Sequence, residues 1–161
     1  MQQAITALKS ETEIALDTET EGFDRITEKI CMLQLASPSH CYLIRPKYLI
    51  HFKPLLEDEK KVKIIHNSLF DCSWLKHEYD ISISNIYDTM NAEKIQLGCV
   101  LPWRPPAGWT KAKLDEYKPA YSAALEYCLE RRKLPSKFEF TPFVYGEPWT
   151  DEQNKDRQCG W

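Results

Sequence analysis

Hydrophobic and polar positions along the first hundred residues follow two different periods. Short apolar runs, typical of buried strands, alternate with segments whose apolar residues recur at helical spacing. The strand-like runs are residues 13–18, 29–36, 41–44, 62–66 and 85–87, and the helix-like segments are 48–57, 68–77 and 89–97. Pro54 lies inside the first helical segment and is expected to shorten or kink it. Three strands followed by alternating strands and helices predict a mixed α/β domain.

The composition changes after Gly98. A loop rich in Pro, Gly and Trp occupies residues 101–109, and residues 111–134 are mostly helical in composition, with an interruption expected at Pro119 and a helix from Ala120 onward. Three cations at 131–133 precede an aromatic-rich segment at 138–149. Cations beside aromatic rings can hold single-stranded nucleic acid. Because the aromatic residues show no exposed period, the favoured interpretation is a helix end followed by aromatic residues that pack on the domain.

Two carboxylates stand at the end of the first predicted strand. Asp17 and Glu19 are two residues apart, so on an extended chain they point to the same face. Clustered carboxylate oxygens are ligands that suit Mg²⁺ or Mn²⁺. The alternative is a strand that simply runs into an acidic, solvated turn.

A third carboxylate follows the strand at 62–66. Residues 61–75 indicate a buried strand, a polar turn and an amphipathic helix with Ser68 as a plausible N-cap. Asp71 then lies in the first helical turn, facing the strand ends, although an Asp in that position is often only a surface charge favoured by the helix dipole. The apolar positions expected to form the buried face of this helix are Leu69, Cys72 and Leu75.

Together these segments resemble a known family. Asp-Thr-Glu-Thr at 17–20 after a strand, and His-Asn-x-x-Phe-Asp at 66–71 opening a helix, are similar to the DEDD (DnaQ-like) 3′-5′ exonucleases. The similarity is greatest to RNase D and to the proofreading domain of family A DNA polymerases, and Asp-Thr-Met-x-Ala at 88–92 adds to it. It extends over residues 11–97 and implies an RNase H-like fold with a mixed five-stranded sheet flanked by helices.

The resemblance also implies a function and a set of site residues. The family removes nucleotides from single-stranded 3′ ends by two-metal-ion phosphodiester hydrolysis. Asp17, Glu19 and Asp71 are the expected catalytic residues and ligands of Mg²⁺ or Mn²⁺, with two ions if the site is complete. Residues expected beside the nucleic acid are Thr18, Phe23, Asn67 and Phe70.

Several of these residues have a purely structural alternative. Phe23 can be a turn residue that packs on the core, Phe70 can be a core residue, and Asn67 can form an Asx turn. His66 is interpreted as a structural residue at a strand end. Asp88 is expected to cap the helix that follows it and is not assigned as a ligand.

The last family motif is only partly present. A fourth Asp normally comes from a late helix, four residues after a Tyr or His that orients the attacking water. Residues 146–153 resemble the start of that motif, but in 154–161 no Tyr or His lies four residues before an Asp, and Asp156 is the candidate for a displaced ligand. We therefore expect a single domain, residues 1–161, that is truncated within this motif, shifted in reading frame, completed by another polypeptide or no longer catalytic.

The bulk properties add modest constraints. The chain has 161 residues and a formal net charge of -3, so it carries no general basic signature for nucleic acid. No transmembrane run and no secretory signal are expected. Six cysteines without a Cys-x-x-Cys pair indicate a reduced, cytoplasmic protein.

The sequence leaves the partners open in part. The expected partner is a single-stranded DNA or RNA 3′ end, with a polymerase or a completing polypeptide as further candidates and no membrane. No feature reads a 2′-hydroxyl, so DNA and RNA are not distinguished. The alternatives to an exonuclease are a catalytically weak nucleic-acid-binding module and a proofreading subunit completed by a partner.

Overall fold

A computed structural model describes residues 1–98, 108–121 and 123–134 of the chain. These residues divide into two compact units, the first comprising residues 1–87 and the second beginning at residue 88. Several features discussed above lie outside the described residues. They are most of the Pro-rich loop, the aromatic segment at 138–149, the partial motif at 146–153 and Asp156.

The first unit is built on a mixed five-stranded sheet, which confirms the predicted architecture. The strands are β1 (Glu13–Thr20), β2 (Ile30–Ala36), β3 (Cys41–Ile44), β4 (Val62–Ile65) and β5 (Ile86–Asp88). Their order across the sheet is β3-β2-β1-β4-β5. β1 pairs antiparallel with β2 and parallel with β4, and β2 pairs antiparallel with β3.

β1 is two residues longer than its sequence pattern predicted. Its ladder with β2 continues as far as Thr20, which pairs with Ile30. Asp17 and Glu19 therefore lie within the strand and not beyond its end. A strand partner on one side is enough to keep polar residues in extended conformation, and the apolar pattern alone does not show that partner.

Seven α-helices are described. They are α1 (Gln2–Ser10), α2 (Pro46–Leu49), α3 (Lys53–Leu56) and α4 (Ser68–Tyr79) in the first unit, and α5 (Thr89–Gln96), α6 (Lys111–Tyr121) and α7 (Leu125–Arg131) in the second. The single helix predicted over 48–57 is wrong, because a 3₁₀ turn at Ile50–Phe52 separates α2 from α3. Pro54 lies in the first turn of α3, where its missing N–H costs little. None of the described helices is long and apolar enough to cross a membrane.

The core of the first unit lies between the sheet and these helices. Burial alternates along β1, with Ile14, Leu16 and Thr18 inside and Asp17 outside. The largest buried side chains of this core include Leu8, Leu33, Leu35, Phe52, Ile65, Trp74 and Leu75. α1 was not predicted, because only Ala4 and Leu8 of its residues are buried and two apolar positions make a weak periodic signal.

The buried face of α4 is confirmed at Leu75, and in part at Cys72, which packs against the core as a partly buried residue, but the prediction is wrong at Leu69. Asp71, Trp74 and Leu75 are buried, whereas Leu69 is 79% exposed. The N-cap is Asn67 and not Ser68, with a left-handed backbone conformation (φ 64°) at Asn67. This conformation lies at the turn between β4 and α4, and the helix that follows presents its stripe at 71, 74 and 75 to the core.

The second unit contains a cap and an ion-pair cluster. Asp88 Oδ1 accepts the backbone N–H groups of Met90 and Asn91 at 2.9 and 3.1 Å, which confirms its predicted role as a helix cap. Glu93 of α5, only 5% exposed, contacts the guanidinium groups of Arg131 and Arg132 at 2.6 and 2.5 Å. Two of the three cations at 131–133 thus make ion pairs at the end of α7.

The predicted break at Pro119 is wrong. The helical backbone of α6 continues through that position to Tyr121, and the following helix starts at Leu125 and not at Ala120. A proline removes one N–H donor and can be carried near a helix end with a local distortion.

Candidate active site

The centre of the candidate site is the point where β1 extends beyond the end of its parallel neighbour, β4. Pairing of β1 with β4 ends at Leu16 and Ile65. Beyond it, Asp71 Oδ1 accepts two hydrogen bonds from Thr18, one from the backbone N–H at 2.9 Å and one from the hydroxyl at 2.7 Å. The carboxylate of Asp71 therefore stands where a further residue of β4 would otherwise pair with β1.

Asp71 is a buried carboxylate in a strongly perturbed setting. Its residue is 2% exposed. Burial raises the pKa of Asp71 to about 6, the bonds from Thr18 oppose this rise, and the negative charge of Asp17 adds to it. Asp17 and Asp71 are thus close enough to interact electrostatically. Perturbed carboxyl groups of this kind cluster at functional sites.

Asp17 and Glu19 share one face of β1 with a polar residue of β2. Gln34 pairs directly with Asp17 across the two strands. Its Nε2 donates to Glu19 Oε1 at 3.0 Å. Between Glu19 and Thr20 the register with β2 shifts by one residue. Such irregularities are common beside active sites, where they redirect side chains.

The expected metal site is supported by chemistry more than by proximity. Within residues 1–98, 108–121 and 123–134, no three His, Cys, Asp or Glu side chains form a group that could hold a metal ion. That Asp17, Glu19 and Asp71 share one ion stays a prediction. The donors do suit a divalent cation, because they are carboxylate oxygens and the charge of Asp17 already acts unfavourably on Asp71.

Phe23 lies in the loop between β1 and β2 and does not pack on the core. Its side chain is 93% exposed. Its ring meets that of Phe70 edge-on, with centroids 6.4 Å apart, and Phe70 in turn lies 6.0 Å from the buried Trp74. The interpretation of Phe23 as a core-packed turn residue is therefore wrong. Phe70 packs against the core as a partly buried residue.

Carboxylates within the loop hold its conformation. Glu28 accepts the backbone N–H of Asp24 at 2.7 Å, and Asp24 accepts the N–H of Ile26 and the hydroxyl of Thr27, each at 3.0 Å. A Cβ added at Gly22 would clash with the Glu28 carboxylate. Gly22 thus makes room for the Glu28 carboxylate. Neither Glu28 nor Gln34 was identified from the sequence, because their contacts depend on loop conformation and strand register.

Asn67 has a structural role that its sequence context did not show. Besides its left-handed backbone, its carbonyl accepts the N–H of Phe70 at 3.0 Å in the first turn of α4. Whether its amide contacts nucleic acid stays a prediction. The same holds for the nucleic-acid contacts expected of Thr18, Phe23 and Phe70.

An α/β sheet whose central strand carries paired acids beside a buried Asp in the first turn of α4 is an arrangement that suits a nuclease. The comparison with protein families agrees. A family described as 3′-5′ exonuclease matches residues 1–98, which is more than half of the chain. The chain belongs to this 3′-5′ exonuclease family.

The chain is also similar to a curated relative and to solved structures. The exosome complex component 10 homolog of Drosophila melanogaster is 31% identical over 98 residues, covering 58% of this chain and 11% of that protein. The chain therefore spans only a small part of that curated relative's length. The catalytic core of RRP6 from Trypanosoma brucei superposes with a TM-score of 0.60 at 17% identity, over 96% of this chain and 38% of that one.

A bacterial structure shows the same fold. Brucella melitensis NrnC with bound Mg²⁺ gives a TM-score of 0.58 at 18% identity, over 91% of this chain and 64% of that one. These likenesses confirm the RNase H-like fold predicted from the two motifs.

Proposed function

We propose that this chain removes nucleotides from the 3′ end of single-stranded nucleic acid by hydrolysis that depends on Mg²⁺ or Mn²⁺. The observation that carries the proposal is the pair of hydrogen bonds from Thr18 to Asp71. They attach a third carboxylate to the residue that lies between Asp17 and Glu19. Membership of the 3′-5′ exonuclease family supports the same conclusion.

Each carboxylate has a defined part in this proposal. Asp17, Glu19 and Asp71 are the residues that would hold the cations. When bound, such ions supply an activated water and stabilise charge on the phosphate. Burial of Asp71 strengthens its electrostatic interactions, since the surroundings are less polarisable than water. The Mg²⁺ recorded in the NrnC structure, which has the same fold, is in keeping with this choice of ion.

The exposed ring of Phe23 is the proposed contact for the terminal base. It is almost fully accessible and is backed on one edge by Phe70. Stacking of a base on an aromatic ring contributes about 1–3 kcal/mol and tolerates any base. Phe70 and Asn67 are proposed to lie beside the path of the strand, and the substrate is single-stranded DNA or RNA.

The test is degradation of 5′-labelled single-stranded DNA and RNA by the full chain, with Mg²⁺, with Mn²⁺ and with a chelator. We expect products that shorten stepwise from the 3′ end only when metal is present, and loss of this activity in Asp17→Ala. Asp115→Asn, an exposed carboxylate of α6, is the matched control and should retain activity. The proposal would be contradicted if neither Mg²⁺ nor Mn²⁺ supports shortening, or if shortening survives Asp17→Ala.

The same assay separates the alternatives. Binding of the oligonucleotide without shortening would indicate a nucleic-acid-binding module, or a subunit that needs a polymerase or another polypeptide to complete its site. Loss of shortening in Asp156→Asn would identify Asp156 as the fourth ligand. A cytoplasmic location also remains a proposal, based on six cysteines without a Cys-x-x-Cys pair.

A further inference from the structure

Two side chains outside the carboxylate set make contacts that determine how the carboxylates are oriented. The first is Thr18, which is 6% exposed and directs both of its donors to the same oxygen of Asp71. One hydrogen bond would leave the carboxylate free to pivot about the donor. Two donors that approach one oxygen from different directions hold its position, so the second oxygen is restricted as well.

The second is Gln34. Residues directly opposite each other in an antiparallel pair project to the same face, so Gln34 shares the face of Asp17 and of Glu19 two residues further on. An ionised carboxylate can only accept hydrogen bonds, so it is the amide nitrogen of Gln34 that faces Glu19 Oε1 at 3.0 Å. The bond crosses from β2 to β1, and therefore ties the Glu19 carboxylate to a neighbouring strand.

We propose that Thr18 and Gln34 are positioning residues of the nuclease site, Thr18 for Asp71 and Gln34 for Glu19. The inference rests on the proposed function, since it assumes that these carboxylates hold a divalent cation. It gives Thr18 a role different from the nucleic-acid contact that the family resemblance implied. Residues that orient metal ligands typically change metal affinity by about 10- to 100-fold when they are replaced.

The primary experiment measures Mn²⁺ binding to the full chain without nucleic acid, by titration followed by electron paramagnetic resonance. Thr18→Val removes the hydroxyl and keeps the shape and the backbone N–H. We expect it to weaken Mn²⁺ binding by about tenfold or more. Thr18→Ser keeps the hydroxyl and should stay close to the parent affinity. Thr12→Val, the same change at an exposed threonine just before β1, should have no effect.

The variant Gln34→Met tests the second contact with a side chain of similar length. We expect a smaller loss of Mn²⁺ affinity, by about three- to tenfold, because a neutral donor is lost. Unchanged affinity in Gln34→Met would overturn the role of Gln34. Melting in a chelator checks that each variant is folded. If Thr18→Val does not fold, Thr18→Cys, which offers a much weaker donor of similar size, takes its place with the same expectation.

Kinetics on a single-stranded oligonucleotide separate positioning from substrate contact. A positioning role predicts a lower kcat in Thr18→Val with little change in KM. A raised KM with unchanged Mn²⁺ affinity would overturn the proposal in favour of nucleic-acid contact by Thr18. If the parent chain binds Mn²⁺ and shortens the strand while Thr18→Val behaves identically, the positioning role is overturned and the proposed function stands. If the parent chain neither binds Mn²⁺ nor shortens the strand, the proposed function itself fails.

Discussion

Asp71 is the residue at which the chemistry of the candidate site and the stability of the fold meet, because its carboxylate is buried. Its place in the first turn of a helix after β4 was predicted and is confirmed. Its complete burial was not, because the apolar pattern placed Leu69 on the inner face. The helix begins after Asn67, whose backbone is in a left-handed conformation, and an Asn-Ser pair does not reveal that conformation. Burying a charged carboxylate lowers the stability of the fold. A residue without a function would not be expected to keep that cost.

Asp71→Asn should therefore stabilise the metal-free chain at neutral pH. The amide keeps an oxygen that can accept both bonds from Thr18, and it removes a buried charge whose pKa is raised to about 6. This shift corresponds to a gain of about 1–3 kcal/mol in the free energy of unfolding. Urea denaturation in a chelator measures it, with the exposed Asp115→Asn as control. A loss of stability would show that the charge contributes favourably to the fold.

At the scale of elements, the site depends on how β1, β2 and α4 meet. The sequence predicted all three elements and hence the proximity of Asp71 to the strand that carries Asp17 and Glu19. It could not predict the register of β1 with β2, which brings Gln34 opposite Asp17. It also could not predict the bonds inside the loop that presents Phe23, since these depend on the fold of nine consecutive polar and apolar residues at 21–29.

Gly22→Ala should loosen this loop. The new Cβ would displace the Glu28 carboxylate and with it the bond to the Asp24 N–H. We expect faster hydrogen exchange across residues 21–29 and a loss of about 1 kcal/mol in stability. The same substitution in a Glu28→Ala background should cost less, because the clashing group is absent. Equal costs in both backgrounds would show that the Glu28 contact does not control the loop.

A cation shared by several elements should stabilise them together. Mg²⁺ or Mn²⁺ that binds only the native state should raise the melting temperature, with a gain of about 2.7 kcal/mol at a hundredfold excess over the dissociation constant. Asp17→Ala should remove most of the effect, and Asp115→Asn should leave it intact. An unchanged melting temperature at millimolar metal would count against a working ion site.

At the scale of the molecule, the two units were predicted unequally well. The motifs at 17–20 and 66–71 indicated the fold of the first unit through their resemblance to a known family, whereas the hydrophobic pattern alone indicated only a mixed α/β domain. The second unit shares only the segment at 88–92 with that resemblance. Its first helix, α5, was predicted at 89–97, whereas α6 and α7 were expected only from helical composition. The contact of Glu93 with Arg131 and Arg132 joins residues almost forty positions apart, which no local pattern indicates.

The ion pairs of Glu93 should make the second unit sensitive to acid. Burial raises the pKa of Glu93, but the hydrogen bonds and charges of Arg131 and Arg132 outweigh it, so the net pKa is lowered. Ionised Glu93 therefore stabilises the fold fully above its ordinary pKa, and this contribution is lost as the pH falls through the lowered value. The protection factors of the amides in α5 and α7, measured by hydrogen exchange between about pH 3 and 6, report this loss.

The matched variants are Glu93→Gln and Glu116→Gln, the second on the exposed surface of α6. Only Glu93→Gln should remove the decrease of these protection factors in acid. An unaltered pH dependence in that variant would assign the acid sensitivity to other groups.

The hydrogen bond between Thr18 and Asp71 also bears on how copies of this domain can change once cleavage is no longer under selection. Asp17, on the outer face of β1, could then be replaced by most residues. Position 71 is more restricted, because the amide of Thr18 needs an acceptor at that point whether or not a metal is bound. Non-cleaving descendants should therefore carry Asn or Ser at 71 far more often than Leu or Val, and a preference for apolar residues there would argue against the contact.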